Sequence, residues 1–157
     1  IVRRSNELLG FKYGKQFKYS EVTSYPKGLK GYIKSYLMLI SLGLTKVLMS
    51  FRPTFWFLIN FYLPRPGEGP SKERRDNGFF KVFLNAYSGK NQLSCTVTGN
   101  RDPGYSGTAI MLTESALSLV LERNNISKKF GVLTPASGIG KVLINRLNKK
   151  GIVFNIS

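Results

Sequence analysis

"FFKVFLNAYSGKNQLSCTVT", residues 79–98, places two runs of aromatic and β-branched residues on either side of Ser88-Gly89-Lys90-Asn91. Runs of this composition around a glycine-containing turn read as a β-hairpin, because such side chains pack well on a pleated surface. Working downstream, the loop "GNRDPGYSG" (99–107) leads into a helix from Ser106 to about Arg123, with Ala109, Leu112, Ala116, Leu119 and Val120 on its expected core face. A short strand is expected at "GVLT" (131–134). A helix from about Ile139 to Lys149 follows, with Ser137 as its N-cap and Gly151 as its stop. "IVFNI" (152–156) closes the series as a strand. The order β-β-α-β-α-β predicts an α/β or α+β fold, a mixed sheet with packed helices.

Upstream the pattern changes. "LPRPGEGPSKERRDNG" (63–78) holds three prolines and three glycines and reads as a loop. The expected division is therefore a basic and apolar, mainly helical segment at 1–63, a linker at 64–78 and an α/β region at 79–157. Residues 1–10 suit the end of a helix stopped at Gly10, and residues 17–25 alternate loosely, as an exposed strand does. Between 31 and 63 the chain is strongly apolar. At 100° per residue Ser41, Thr45 and Arg52 fall within about 20° of Lys34 and leave a wide apolar face. Pro53 breaks or restarts this helix, and Phe55, Trp56, Phe57 and Phe61 cluster after it. The longest uncharged runs, 35–45 and 53–64, are short of the ~20 residues that cross a bilayer. Two readings stand: a helix pair packed in a core or subunit interface, and a hairpin lying on a membrane or lipid-droplet surface, flanked by lysines and aromatics.

The chain has 157 residues, 42% of them hydrophobic, and 24 Lys and Arg against 8 Asp and Glu, for a net charge of +16. That charge favours anionic partners, nucleic acid or anionic lipid among them. Cys95 is the single cysteine and there is no histidine. An internal disulfide, a Cys/His zinc site and a histidine-based nucleophile system are thereby excluded, and no metal site is expected. The first residue is Ile1 rather than Met, which suggests the C-terminal portion of a longer protein, or a processed or partly observed chain.

"TPASGIGKVLINRL" (134–147) looks like a nucleotide loop. A phosphate loop of the GxxxxGK[ST] type needs glycine where Pro135 stands and a hydroxyl where Val142 stands. The dinucleotide pattern GxGxxG needs glycine where Leu143 stands, and an acidic residue about 20 positions further on; no acid follows Glu122. The stretch is accordingly a tight turn into a helix. Glu114 and Glu122 read as surface charges. Asp102, in a turn before a helix N-terminus, could help hold an anion or a cofactor group there; the alternative is a turn-forming Asp-Pro-Gly. Basic residues cluster at Arg3, Arg4, Lys12, Lys15 and Lys18 and again between Arg123 and Lys150, a composition that suits nucleic acid or phospholipid as well as a solvated face.

Two stretches, "DPGYSGTAIMLTESALSLVLE" (102–122) and "GVLTPASGIGKVLINRLNKKGIVFNI" (131–156), resemble the C-terminal end of the saccharopine dehydrogenase-like oxidoreductases. "VRRS" (2–5), the apolar 33–63 region and the Gly-Pro loop before a Phe-rich strand extend the resemblance backwards. It implies an enzyme whose N-terminal Rossmann domain, not in this chain, binds NAD or NADP. Bacterial members of that family include enoyl reductases acting on lipid precursors, and animal members associate with lipid droplets and membranes. The implied location is intracellular, at a membrane, lipid droplet or mitochondrion. The resemblance supplies no catalytic residue. Asp102, Gly104 and Tyr105 are the candidates for facing substrate or cofactor. Phe55, Trp56, Phe57 and Phe61 are the candidates for a membrane or subunit interface, a homo-oligomer included. The competing function is a non-catalytic basic component of a larger assembly that contacts RNA or anionic lipid.

Overall fold

The computed structural model describes residues 1–64 and 67–156. The chain divides into two compact units, one made of Ile1–Tyr19 with Pro70–Ser157 and the other of Ser20–Gly69. The first nineteen residues thus belong with the C-terminal region, not with the apolar segment that follows them in sequence. Among the described residues there are seven helices and three antiparallel strands, so the fold is mixed α/β, of the α+β kind.

The first unit is organised by its sheet. Strands β1 (Phe80–Ser88) and β2 (Asn91–Gly99) form the expected hairpin, and β3 (Ile152–Ile156) pairs with β2, giving the order β1-β2-β3. Ser88 faces Asn91 across a two-residue turn whose first central residue, Gly89, has φ 58°. A positive φ there is what short hairpin turns require to match strand twist. Cys95 lies between Leu84 and Ile156, and Gly99 between Phe80 and Ile152. No strand forms at 131–134. Helix α6 (Pro135–Gly138) starts there instead, because Thr134 and Ser137 form a reciprocal capping box and Pro135 takes a first-turn position. Ser137 is therefore not the N-cap of the next helix, α7 (Lys141–Asn148), which is capped by Gly140 at φ 62°, ψ −130°. Gly151, at φ 85°, turns the chain from α7 into β3 as expected.

Helix α5 (Ser106–Leu121) packs on α7, and α7 on β3. Its inward face differs from the expected one: Gly107, Glu114 and Ser118 are buried, whereas Leu112, Leu119 and Val120 are exposed. The reason is electrostatic. Glu114, 4% exposed, accepts a hydrogen bond at 2.7 Å from Arg146 Nε on α7, and Glu122 stands 3.7 Å from the same guanidinium. Glu114 is thus no surface charge. The buried hydrophobic side chains among the described residues are Ile139, Leu147 and Ile152, each worth about 2 kcal/mol of burial.

Polar contacts complete this unit. Helix α1 (Val2–Leu8) ends before Gly10, as expected. It is tied to the far end of the sequence by Ser5 Oγ to Thr134 Oγ1 at 2.8 Å and by Lys129 Nζ donating to the Leu8 carbonyl at 2.9 Å. Buried Asn6 accepts from Tyr13 N–H and donates to the Gly14 carbonyl, fixing the loop after α1. Residues 17–25 form no strand. In the 64–78 linker, residues 65 and 66 lie outside the described residues, and Lys72–Asp76 forms a short helix, α4.

The second unit is a helix pair. Helix α2 spans Leu29–Ser50, and α3 spans Arg52–Phe61 with Pro53 in its first turn, so the proline restarts the helix rather than ending it. Phe51 is the extended residue between them. Thr54 Oγ1 donates to the carbonyls of Leu48 and Phe51 and pins the corner. Gly31 is the buried residue of α2, where a Cβ would collide with the Pro26 carbonyl. The core reading of this region is not met: the apolar side chains of both helices are largely exposed, Leu37 at 60% and Ile40 at 63%.

The chain exposes 13388 Å². A compact protein of its mass exposes about 7,900 Å², and two separate compact bodies of these lengths about 9,400 Å². The excess is therefore a property of the units themselves.

Replacing Arg146 with Met should leave Glu114 buried and unpaired and cost about 3 kcal/mol. Replacing Glu114 with Leu as well should recover most of that loss. Denaturant unfolding followed by circular dichroism checks both.

Candidate functional site

The turn ahead of α5 is the most constrained piece of irregular backbone in the first unit. Asp102 N–H donates to the Arg75 carbonyl at the end of α4, at 3.0 Å. Gly78 and Gly107 press on the same residue: a Cβ at Gly78 would lie 2.5 Å from Asp102 N, and one at Gly107 2.9 Å from the Asp102 carbonyl oxygen. These glycines are there for close approach of backbone. The Asp102 carboxylate accepts from Tyr105 N–H at 2.7 Å, and its backbone carbonyl from Gly107 N–H at 2.7 Å. Thr108 Oγ1 donates to the Pro103 carbonyl at 2.6 Å. One carboxylate oxygen therefore satisfies the start of its own helix, which an incoming anion would otherwise do.

The three sequence candidates are brought together here. Asp102 is half-buried, and Gly104 and Tyr105 are exposed, Tyr105 at 50%. At Gly104 a Cβ would meet only the Asp102 carboxylate, at an ordinary 3.5 Å. Beside the turn runs a shallow groove of about 470 Å³ lined by Ser71, Glu73, Arg74, Asn77, Gly78 and Phe79. Arg75 Nε is buried without a hydrogen-bond partner. The Arg101–Asp76 pair at 3.2 Å is exposed on both sides and contributes little. Among the described residues no group of three His, Cys, Asp or Glu could hold a metal ion.

The glycine stretch at 134–141 is closed to phosphate. Gly138, Ile139 and Gly140 N–H donate to the carbonyls of Thr134 and Pro135 at 2.8–3.0 Å, and Ser137, Gly138 and Ile139 are buried. A phosphate cradle needs those N–H groups pointing outward and free. Lys141 is exposed at the start of α7.

The other four candidates lie on α3 and are exposed: Phe55 40%, Trp56 62%, Phe57 51% and Phe61 67%. Phe61 rings contact Trp56 and Phe57 at centroid distances of 6.1 and 5.0 Å. A second groove, of about 450 Å³, is lined by Arg52, Pro53, Phe55, Trp56, Ile59 and Asn60. Sequence reasoning missed the buried polar set Ser5, Asn6, Glu114 and Ser118, because polar residues at helical spacing read as a solvated face. A signal existed for Glu114. It shares its helix face with Gly107 and Ser118, and Arg146 offers it a cation.

Comparison with known proteins gives consistent names. A trans-acting enoyl reductase of Mycobacterium ulcerans is 36% identical over 161 residues, which is 99% of this chain and 38% of that protein. Trans-acting enoyl reductases of Mycobacterium tuberculosis and Mycobacterium bovis are each 33% identical over 160 residues, 98% of this chain and 37% of theirs. The chain thus spans little more than a third of the length of these relatives. No family model matches, and no solved structure matches. The names correct the family drawn from residues 102–122 and 131–156: the similarity is to enoyl reductases, not to saccharopine dehydrogenases. Motifs of small residues and turns mark a shared fold region and do not separate chemistries built on it.

Replacing Gly78 with Ala should force Asp102 out of its turn and cost about 2 kcal/mol. Asp102→Ala should cost about 1 kcal/mol through the lost cap, and Gly104→Ala less than about 0.5 kcal/mol. Thermal melts of the three variants check this ranking.

Proposed function

We propose that the chain is a working part of an oxidoreductase that reduces enoyl compounds with a nicotinamide cofactor, NADH or NADPH. The observation that carries the reading is the end-to-end match, 98–99% of the chain at 33–36% identity, to proteins named for enoyl reduction. The residues present do not fit the cofactor's pyrophosphate, because the N–H groups of Gly138–Gly140 are spent inside the fold. The nucleotide therefore belongs to a domain other than the two units here, and the relatives have room for one in the part of their length this chain does not match. The share of the work left to this chain is on the substrate side. The turn at Asp102, Gly104 and Tyr105 and its adjoining groove are the structured surface of the first unit for it.

A chimera tests this. The stretch of the Mycobacterium ulcerans relative that aligns with this chain is replaced by this chain, and NADPH oxidation is followed with an enoyl thioester. The chimera should turn over, and this chain alone should show no saturable NADPH binding. A folded chimera that binds NADPH and reduces no enoyl substrate overturns the proposal.

A further inference from the structure

The second unit combines three properties. Its long helix α2 presents an 18-residue apolar window of mean hydropathy 1.3, none of it buried. Between residues 22 and 64 the charged residues are Lys27, Lys30, Lys34, Lys46 and Arg52, with no acid among them. The short helix that follows exposes Phe55, Trp56, Phe57 and Phe61 at its surface. From these we infer that α2 and α3 lie in the plane of an anionic phospholipid membrane, within one leaflet, apolar side chains toward the acyl chains and cations among the phosphates.

Charge chooses the occupant. Across Ser20–Gly69 six cations stand against Glu21 and Glu68, so a second copy would bring net +4 against net +4, which repels. An anionic headgroup layer attracts the cations. Apolar surface beside a cation-only polar stripe, with aromatics at one end, is the composition of helices that lie in the interfacial zone. Lys30, Lys34, Ser41 and Thr45 fall along one side of α2 at 100° per residue, and that side meets the headgroups.

Geometry chooses the plane over a crossing. At 22 residues α2 is about 33 Å long, enough to span the hydrocarbon by length. By length and composition it qualifies as a span, which the count of uncharged residues alone did not suggest. Its charge-free stretch, residues 35–45, covers only about 16 Å, roughly half the hydrocarbon thickness. Helix α3, at 10 residues, is shorter still. Neither helix hides its cations in a crossing; lying flat, α2 keeps Lys30 and Lys34 at headgroup level, and Lys46, about 120° round the helix from Lys34, reaches the headgroups by extending its long side chain.

Trp56 is the only tryptophan of the chain, so the unmodified protein carries its own probe. Vesicles of phosphatidylcholine with about 30 mol% phosphatidylserine should move its emission to shorter wavelength, and vesicles of phosphatidylcholine alone should do so far less. Bromine placed high on the acyl chains should quench it more than bromine near the chain ends. The double variant Lys30→Gln, Lys34→Gln should bind the anionic vesicles about 30-fold more weakly at low salt. Four results overturn the inference: no shift with anionic vesicles, a lipid-free shift that grows with protein concentration, an equal shift with single-stranded RNA, or strongest quenching from the chain ends.

Discussion

A carboxylate held at 4% exposure needs a cation beside it, and in the first unit Arg146 reaches Glu114 at 2.7 Å. That contact sets which face of α5 turns inward and brings α7 against it. Helix α7 in turn carries Leu147 inward and leads through Gly151 to β3, whose Ile152 closes the small apolar core. The strength of the pair comes from what its loss would leave behind: an ion in low dielectric with nothing to offset it. Around it the unit relies on buried hydroxyls and an amide (Ser5, Asn6, Ser118 and Ser137) more than on packed hydrocarbon. Such an interior is specific, since each polar group accepts only a partner of the right kind and direction.

The hairpin, a helix boundary at Pro53, the stop at Gly151 and the mixed α and β class were all legible in sequence. Each rests on a local rule: β-branched and aromatic runs around a glycine turn, a proline fixed in φ, a glycine at positive φ. The inward face of α5 was not legible, because periodicity counts apolar residues and this helix turns a glycine, a glutamate and a serine to its neighbour. The strand expected at 131–134 fails for a related reason. "GVLT" has strand composition, yet the Thr134–Ser137 capping box and Pro135 commit the backbone to a helix start. At the candidate site, Asp102 was singled out by its turn, but the constraints that hold it come from Gly78 and Gly107, and from Arg75 some 27 positions upstream. Long-range close approach of that kind leaves no periodic trace.

The surfaces of the two units differ in kind. The first mixes charge with exposed strand residues such as Phe83 and Tyr87, on a sheet whose β1 edge carries no further strand among the described residues. Edges of this sort invite pairing unless they are covered or charged, and Lys81 and Lys90 are the cations on or next to this one. In the second unit α2 and α3 expose apolar side chains and carry cations as their only charges. Exposed apolar area of this extent is far more than a compact protein of this mass shows.

The ties from α1 to Thr134 and Lys129 carry a consequence for synthesis. A chain made from its N-terminus emerges in order, at about 5–20 residues per second. Helices α2 and α3 are finished at Phe61, and each helix forms within microseconds of release. Thr134 arrives 73 residues later, so for about 4–15 s the partners that α1 needs do not yet exist. During that interval the apolar helices are outside the ribosome while the larger unit cannot close. The apolar surface of these helices is therefore present during translation before the contacts that close the larger unit can form.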